Sequence, residues 1–411
     1  MSPPDPEALG RRAEAMIAEL GAISAEPGRL VRLFLTPEHR RAADLVASWM
    51  RAAGLSVSED ALGTVRGRFG SAKQRLLIGS HIDTVIDAGQ YDGPLGVIAG
   101  ILAAEHFART GADLPLGIDV LAFGDEEGSR FPATLASSLA CAGAFKPETL
   151  LLKDARGIAL GDALKAYGKN PADIPAAAYR RDDAAAYVEV HIEQGPVLES
   201  RNQPLGVVSS IIGQTFLLVE IFGEAGHAGT VPMLLRRDAM AGGAEAMLLA
   251  ERIARDTRGE VVATVGRLTV EPGAANVIPG HVVLMIDMRS ESDTARVQFV
   301  ERFKTGCREI ADRRHLGLTI TPTREVPTTP CDPGLQQLMG QAIAAVEGEP
   351  QRLGSGAGHD GQAMAKLCPI GMLFVRCRGG ISHNPMEYAS PRDMGLAIVA
   401  LTKFIERFNR G

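Results

Sequence analysis

Two short segments carry residue types that can bind a divalent metal ion. His81 and Asp83 follow the apolar run 76–79, and Asp92 stands in a loop just before Gly93 and Pro94. An imidazole and a carboxylate that one loop brings together can share a divalent ion. Asp83 can instead orient the ring of His81 without touching the metal. The alternative for the whole segment is a polar turn at the end of a strand.

Three consecutive carboxylates, Asp125, Glu126 and Glu127, follow the apolar run 120–123. Carboxylates that are crowded near a core raise one another's pKa, and a bound cation relieves that repulsion. On an extended backbone adjacent side chains point to opposite sides. One glutamate could then bind a metal ion while its neighbour takes a proton from a bound water. A solvated acidic turn is the alternative.

Two further histidines, His191 and His383, complete a set of imidazole and carboxylate ligands. Such a set suits a pair of Zn²⁺, Mn²⁺ or Co²⁺ ions that share one carboxylate. The pair could polarise a carbonyl and hold a nucleophilic water. A lone histidine is more often a core residue with a satisfied ring, and we interpret the remaining candidates in that way: His39, His106, His281 and His315.

These residues must be positioned by a sheet. Short apolar runs of strand length alternate with helical patterns over residues 75–124, which is typical of an α/β domain with a mostly parallel sheet covered by helices. Three of the runs end in ligand-type residues, near positions 81, 126 and 191. Because ligands bind at the carboxyl ends of strands in such sheets, we expect one shared pocket.

The pattern changes near residue 213. From there to about residue 324 it reads strand, helix, two strands, helix, strand, which is the ferredoxin-like split β-α-β order. A helix near 333–346, a strand at 370–375 and a helix at 391–408 return to the earlier pattern. We therefore expect a metallohydrolase-like domain of residues 1–212 and 325–411, interrupted by an inserted α+β domain at 213–324.

The inserted segment has its own candidate residues. Glycine and alanine flank His227, so a ligand could approach its ring closely, although a plain turn is the alternative. Asn276 offers an amide in a connection rich in proline and glycine. Arg289 ends a strand and could hold a carboxylate through two hydrogen bonds, unless it is an ordinary surface arginine.

Composition limits the class of partner. The 411 residues include 43 Lys and Arg against 49 Asp and Glu, a net charge of −6 that argues against nucleic acid or an anionic membrane as a partner. The five cysteines form no CxxC pair, and no apolar stretch approaches the roughly 18 residues of a membrane span. The N-terminus lacks the features of a secretory signal. These features predict a cytoplasmic protein.

Taken together and in order, the motifs resemble those of the M20 metallohydrolases. The resemblance is to the branch that contains N-carbamoyl-L-amino-acid hydrolase, allantoate amidohydrolase and ureidoglycolate amidohydrolase. It rests on motifs spread over most of the chain, at residues 79–84, 91–96, 126–132, 191–195, 226–229, 355–360 and 380–385.

The resemblance implies a binuclear metal centre. It assigns one ion to His81, Asp92 and His191. It assigns the other to Asp92, Glu127 and His383, so that Asp92 bridges the two. Glu126 would be the general base and later the acid.

The resemblance also implies that the inserted domain forms a homodimer contact and closes over the substrate. His227, Asn276 and Arg289 would bind the ureido group and the carboxylate. His227 would act across the interface and help to stabilise the oxyanion. Further positions near the substrate are Gln194, Gln214, Gly358 and His359.

The implied reaction is hydrolysis of the carbamoyl C–N bond of an N-carbamoyl-L-amino acid or of allantoate, with release of ammonia and carbon dioxide. One alternative is an M20 aminoacylase or dipeptidase that cleaves an acyl or peptide bond. Another is a catalytically dead protein that binds a ureido ligand.

Overall fold

The computed structural model describes residues 5–409. Its helices are α1 (Pro6–Gly21), α2 (Pro37–Ala52), α3 (Pro94–Thr110), α4 (Ala136–Cys141), α5 (Leu160–Ala166), α6 (Val197–Ser200), α7 (Ala239–Asp256), α8 (Asp293–Arg314), α9 (Pro333–Glu347), α10 (Gly361–Met364) and α11 (Pro391–Phe408). Its strands are β1 (Ser56–Glu59), β2 (Val65–Phe69), β3 (Arg75–His81), β4 (Gly117–Phe123), β5 (Ala184–Ile192), β6 (Leu205–Ile211), β7 (Gly213–Phe222), β8 (Gly226–His227), β9 (Val261–Glu271), β10 (Val277–Ile278), β11 (His281–Ser290), β12 (Gly317–Val326), β13 (Thr329–Pro330), β14 (Gln351–Ser355) and β15 (Ile370–Val375).

The chain divides into two compact units. Unit 1 contains residues 5–209 and 330–409 of the described chain, and unit 2 contains residues 210–329.

No helix within residues 5–409 combines the length and the apolar character of a membrane span.

Unit 1 is built on a nine-stranded mixed sheet. Its strands follow the order β1-β2-β4-β3-β5-β15-β6-β13, and β14 pairs with β6. The four inner strands β4, β3, β5 and β15 are all parallel, whereas the outer strands β1, β2 and β6 pair antiparallel. This confirms the expected α/β architecture with a mostly parallel central sheet.

Helix α3 shows how the sequence determines an element of this core. Pro94 occupies its first turn, where the missing N–H costs nothing, and Gly111 ends it with a φ of +63°. Most of its residues are buried, because the helix is apolar around nearly its whole circumference. It packs against β3, β5 and α11 and so fixes the loop that precedes it, which carries Asp92.

Unit 2 contains a four-stranded antiparallel sheet in the order β12-β7-β11-β9, with helices α7 and α8 against it. In chain order this is the 4-1-3-2 arrangement of the split β-α-β motif. Buried residues alternate with partly exposed ones along β7 and β11, so the helices cover one face and the other face is more accessible. A separate two-stranded ribbon pairs β8 with β10.

Candidate metal centre

The strands of unit 1 bring the predicted metal ligands to one edge of the sheet. His81 is the last residue of β3 and lies opposite Phe123 at the end of β4. His191 lies near the end of β5, beside Phe374 of β15. Since these strands are parallel, their carboxyl ends gather at the same edge, as the sequence pattern predicts.

Asp92 lies at the centre of the cluster. Its Oδ1 atom is 3.4 Å from Nε2 of His81 and 3.1 Å from Nε2 of His191. Its Oδ2 atom is 3.3 Å from Nε2 of His383, and that nitrogen is also 3.5 Å from Oε2 of Glu127. The two carboxylate oxygens therefore face two different groups of ligand atoms.

Each group has the composition of a metal site. The ligand atoms of His81, Asp92 and His191 lie within 4.8 Å of one another, and so do those of Asp92, Glu127 and His383. Nε2 of His191 is buried and, although Oδ1 of Asp92 is 3.1 Å away, it forms no hydrogen bond within residues 5–409. Because a buried nitrogen without a partner is costly, an ion beside Asp92 fits this donor set.

Backbone carbonyls orient the two buried histidines. Nδ1 of His191 lies 2.9 Å from the carbonyl oxygen of Ile192, and Nδ1 of His81 lies 3.2 Å from that of Asp83. A carbonyl only accepts, so each Nδ1 carries a proton, and in the neutral form of the ring each Nε2 has a lone pair toward Asp92. The rings thus present the atoms that a metal ion would bind.

Asp83 acts mainly on the backbone of the acidic segment. Its carboxylate accepts hydrogen bonds from the N–H groups of Glu126 and Glu127, both at 3.2 Å. Its Oδ1 atom is also 3.4 Å from Nδ1 of His81, in line with the predicted orienting role. Asp83 therefore ties the first histidine to the two glutamates.

The acidic segment differs from the expected geometry. The backbone bends directly after β4, so the rule for an extended chain does not apply to Glu126 and Glu127. Both carboxylates come within 4.8 Å of a ring nitrogen of His81. Bends in the backbone, rather than strand alternation, place Glu127 near His383 and Glu126 beside the centre.

Two glycines leave space for the side chains of the metal centre. Gly93 has a φ of +82°, and a methyl group on it would lie 2.5 Å from Cε1 and Nδ1 of His81. Gly358 lies beside Glu126, since a methyl group there would be 3.7 Å from its Oε1 atom. His359, the next residue, is buried; its ring centroid is 4.4 Å from that of His191 and its Nε2 lies 2.6 Å from the Ser355 hydroxyl.

Two residues at the centre have backbone angles that only glycine adopts readily. Gln194 has a φ of +58° and His383 a φ of +54°. Gln194 uses this conformation to donate its side-chain N–H to Oδ2 of Asp92 at 2.6 Å. Such conformations cost free energy and concentrate at functional sites.

The charges of the cluster shift its pKa values strongly. Burial alone would raise the pKa of Asp92, but His191, His383 and His81 hold it well below its usual range. Hydrogen bonding to Asp92 raises the pKa of His383 to about 9, and burial raises that of Glu127 to about 7. Burial also raises the pKa of Glu126 well above its usual value. Cations bound here would take over the neutralising role of the histidine protons.

Glu189 is a buried carboxylate beside the centre that was not predicted from the sequence. Glu189 accepts hydrogen bonds from the Ser80 hydroxyl, the Tyr187 hydroxyl and the N–H of Gly361. Its position two residues before His191, on the same face of β5, was a signal that could have identified it. Asp125 and Asp360 are also buried, and desolvation raises the pKa of each well above the usual value.

Glu387 is a further residue that the sequence pattern did not reveal. Its Oε1 atom accepts the N–H groups of Tyr91 and Asp92, at 2.8 and 3.0 Å. Its Oε2 atom is 3.0 Å from the hydroxyl of Ser382, which lies 2.7 Å from Oδ2 of Asp92. Glu387 therefore holds both the backbone and the side chain of the central aspartate.

In unit 2 the candidate residues form two pairs. His227 and Asn276 are adjacent because β8 pairs with β10 and the N–H of Ala228 donates to the carbonyl of Asn276. Gln214 and Arg289 are direct cross-strand partners on β7 and β11. The side chain of Arg289 donates to Asp287, a residue that sequence analysis did not single out.

Comparison with known proteins identifies the family. The model of peptidase family M20/M25/M40 matches residues 77–407. Allantoate deiminase of Arabidopsis thaliana is 42% identical over 97% of this chain and 82% of its own length. N-carbamoyl-L-amino acid amidohydrolase of Geobacillus stearothermophilus is 40% identical over 98% of this chain and 99% of its own.

A solved structure agrees with these relatives. An amidase of the hydantoinase/carbamoylase family from Burkholderia multivorans superposes with a TM-score of 0.90 at 32% identity, covering 96% of this chain and 97% of its own. The family match at residues 77–407 includes residues of both units and every motif that carried the resemblance. The chain therefore belongs to the M20/M25/M40 peptidase family, among relatives that are named as amidohydrolases.

Proposed function

We propose that this protein is a metal-dependent amidohydrolase that cleaves the carbamoyl C–N bond of an N-carbamoyl-L-amino acid or of allantoate. The observation that carries the proposal is the position of Asp92, whose two oxygens face His81 and His191 on one side and His383 and Glu127 on the other. The relatives named allantoate deiminase and N-carbamoyl-L-amino acid amidohydrolase, matched over 82 and 99% of their length, support the choice of bond.

The cofactor in this proposal is a pair of divalent cations, Zn²⁺, Mn²⁺ or Co²⁺. His81, His191 and Oδ1 of Asp92 would hold one, and His383, Glu127 and Oδ2 of Asp92 the other. When bound, such ions supply Lewis acidity to a carbonyl and to a water molecule.

Glu126 is the proposed proton carrier. Its carboxylate lies beside Glu127 and His81 without belonging to either ligand group around Asp92. It would accept a proton from the attacking water and return it to the nitrogen that leaves the ureido carbon. The products are the amine and a carbamic acid, which breaks down to ammonia and carbon dioxide.

The substrate-binding roles are also proposals. Nδ1 of His227 accepts the N–H of Gly229 at 3.0 Å, so a neutral ring carries its proton on Nε2 and offers a donor for an oxyanion. Asn276 and Arg289 would bind the ureido group and the carboxylate. Gln194, Gln214 and the loop with Gly358 and His359 are the other expected contacts.

We further propose a homodimer in which His227 acts across the interface. Three consecutive apolar residues near it, Met233, Leu234 and Leu235, are 74, 98 and 72% exposed. Such a patch is unusual on a monomer and typical of a contact surface. The cytoplasmic location stays a prediction from composition.

Measurement of ammonia and amine release tests the proposal. The purified protein, loaded in turn with Mn²⁺, Co²⁺ or Zn²⁺, is offered allantoate, ureidoglycolate and a panel of N-carbamoyl-L-amino acids, with N-acetyl amino acids and dipeptides as controls. Turnover of a ureido substrate that a chelator abolishes is the expected result. Turnover of the acyl or peptide controls alone would make the protein an aminoacylase or a dipeptidase, and bound metal without any turnover would favour a binding protein.

A further inference from the structure

Three polar side chains meet on the accessible face of the sheet in unit 2. Gln214 on β7 and Arg289 on β11 are direct cross-strand partners. Asp287 stands two residues before Arg289 on the same strand, so both side chains project from the same face. All three residues are partly buried.

Asp287 contacts both of the others at once. Its Oδ2 atom accepts hydrogen bonds from Nε and Nη2 of Arg289, at 2.9 and 2.8 Å. Its Oδ1 atom accepts one from Nε2 of Gln214 at 3.1 Å. The carboxylate therefore uses one oxygen for the guanidinium and the other for the amide.

This arrangement determines the orientation of two groups. An ionised carboxylate only accepts hydrogen bonds, so Gln214 must turn its amide nitrogen toward Asp287 and its carbonyl oxygen away. Two bonds from the planar guanidinium to one oxygen set the position of Arg289. The Asp287 and Arg289 side chains are 22 and 34% exposed, so water screens this pair less than a pair on the open surface.

We propose that Asp287 is a positioning residue that orients Arg289 to receive the carboxylate of the substrate. The inference rests on the proposed function, in which Arg289 binds that carboxylate. Asp287 accepts hydrogen bonds from two of the five N–H donors of Arg289 and so orders the guanidinium before a ligand binds. Less conformational entropy is then lost when the ligand binds. Removal of Asp287 should therefore weaken binding of ligands that carry a carboxylate and leave the chemistry at the ureido group unchanged.

Paired substrates test this role. Steady-state kinetics are measured with the best ureido acid and with its primary carboxamide, which lacks the negative charge, for wild type and for the Asp287→Ala and Asp287→Asn variants. Asp256→Asn is the matched control, because Asp256 forms an exposed ion pair with Arg302 elsewhere in unit 2. Arg289→Lys calibrates the loss of the carboxylate contact itself.

For the acid, KM should rise about tenfold in Asp287→Ala, because the guanidinium of Arg289 loses both hydrogen bonds that orient it, and kcat should stay within about twofold. Asp287→Asn should show a smaller rise, and KM for the carboxamide should stay within about twofold in both variants. Equal changes for acid and carboxamide, or a lower KM for the acid, would overturn the proposal.

The design separates this inference from the function on which it rests. No turnover of any ureido substrate by wild type would refute the proposed function, and the inference with it. If Arg289→Lys affects acid and carboxamide alike, Arg289 does not bind the carboxylate and Asp287 has no such group to position. If Arg289→Lys distinguishes the two substrates but the Asp287 variants do not, only the role of Asp287 is wrong.

Discussion

A buried histidine outside the metal centre should make the protein sensitive to mild acid. His39 on α2 has no exposed surface, and its Nδ1 lies 2.9 Å from the hydroxyl of Tyr167. Its Nε2 has no hydrogen-bond partner among residues 5–409. Burial lowers the pKa of His39 from 6.5 to about 3, against the opposing charge of Asp83 and with a further lowering by nearby arginines.

The size of the effect follows from that pKa. Between about pH 6.5 and pH 3 the unfolded chain binds a proton at this position and the folded chain does not. The contribution of neutral His39 is therefore fully present above about pH 6.5 and is lost as the pH falls. The slope approaches about 1.4 kcal/mol per pH unit, so about 2 kcal/mol is lost between pH 7 and pH 5.

Urea denaturation of wild type and His39→Gln at pH 7 and pH 5 measures this slope, with chelator present throughout so that metal release does not contribute. The free energy of unfolding of His39→Gln should fall by about 2 kcal/mol less than that of wild type over this interval. Tyr167→Phe is the control, since it removes the hydrogen bond and keeps the titrating ring. Parallel pH profiles for wild type and His39→Gln would refute the reasoning.

Three further substitutions test the metal centre. Glu126→Gln should lower kcat by a factor of about 10² to 10⁴ with metal content unchanged, and near-normal turnover would exclude it as the proton carrier. Gly93→Ala would place a methyl group 2.5 Å from the ring of His81, so elemental analysis should find less bound metal in this variant than in wild type. Gly111→Ala is the control, because Gly111 also has a positive φ but has open space around it. Equal metal content in wild type and both variants would contradict the packing described for Gly93. Glu387→Ala should weaken metal binding about 10- to 100-fold in competition with a chelator, because it removes the support of the central aspartate, and unchanged affinity would argue against that support.

Features with a strong local signal could be predicted from the sequence. Helix α3 begins at Pro94 and ends at Thr110, as the proline, the apolar run and Gly111 indicate. The parallel strands follow from runs that are apolar on both faces, and their ends locate the cluster of ligand-type residues. The split β-α-β order was likewise readable from alternation and helical spacing.

Features that depend on distant contacts could not be predicted in this way. Glu387 bonds the backbone of Asp92, which lies 295 positions earlier, and no local pattern marks such a pair. His383 has a left-handed backbone conformation, which is usually indicated in a sequence by a glycine, and this position is a histidine. Asp287 alternates with buried residues along β11, as any solvent-facing strand residue would, so only the structure shows that it holds Arg289.

Titration of the metal-free protein with Mn²⁺, while ammonia release from a ureido acid is followed, tests the central claim most directly. If Asp92 is shared by two ions, activity should rise until two equivalents per chain are bound and then level off. Activity that is complete without added metal in the presence of a chelator, or that never appears when two equivalents are bound, would contradict the proposed metal-dependent amidohydrolase.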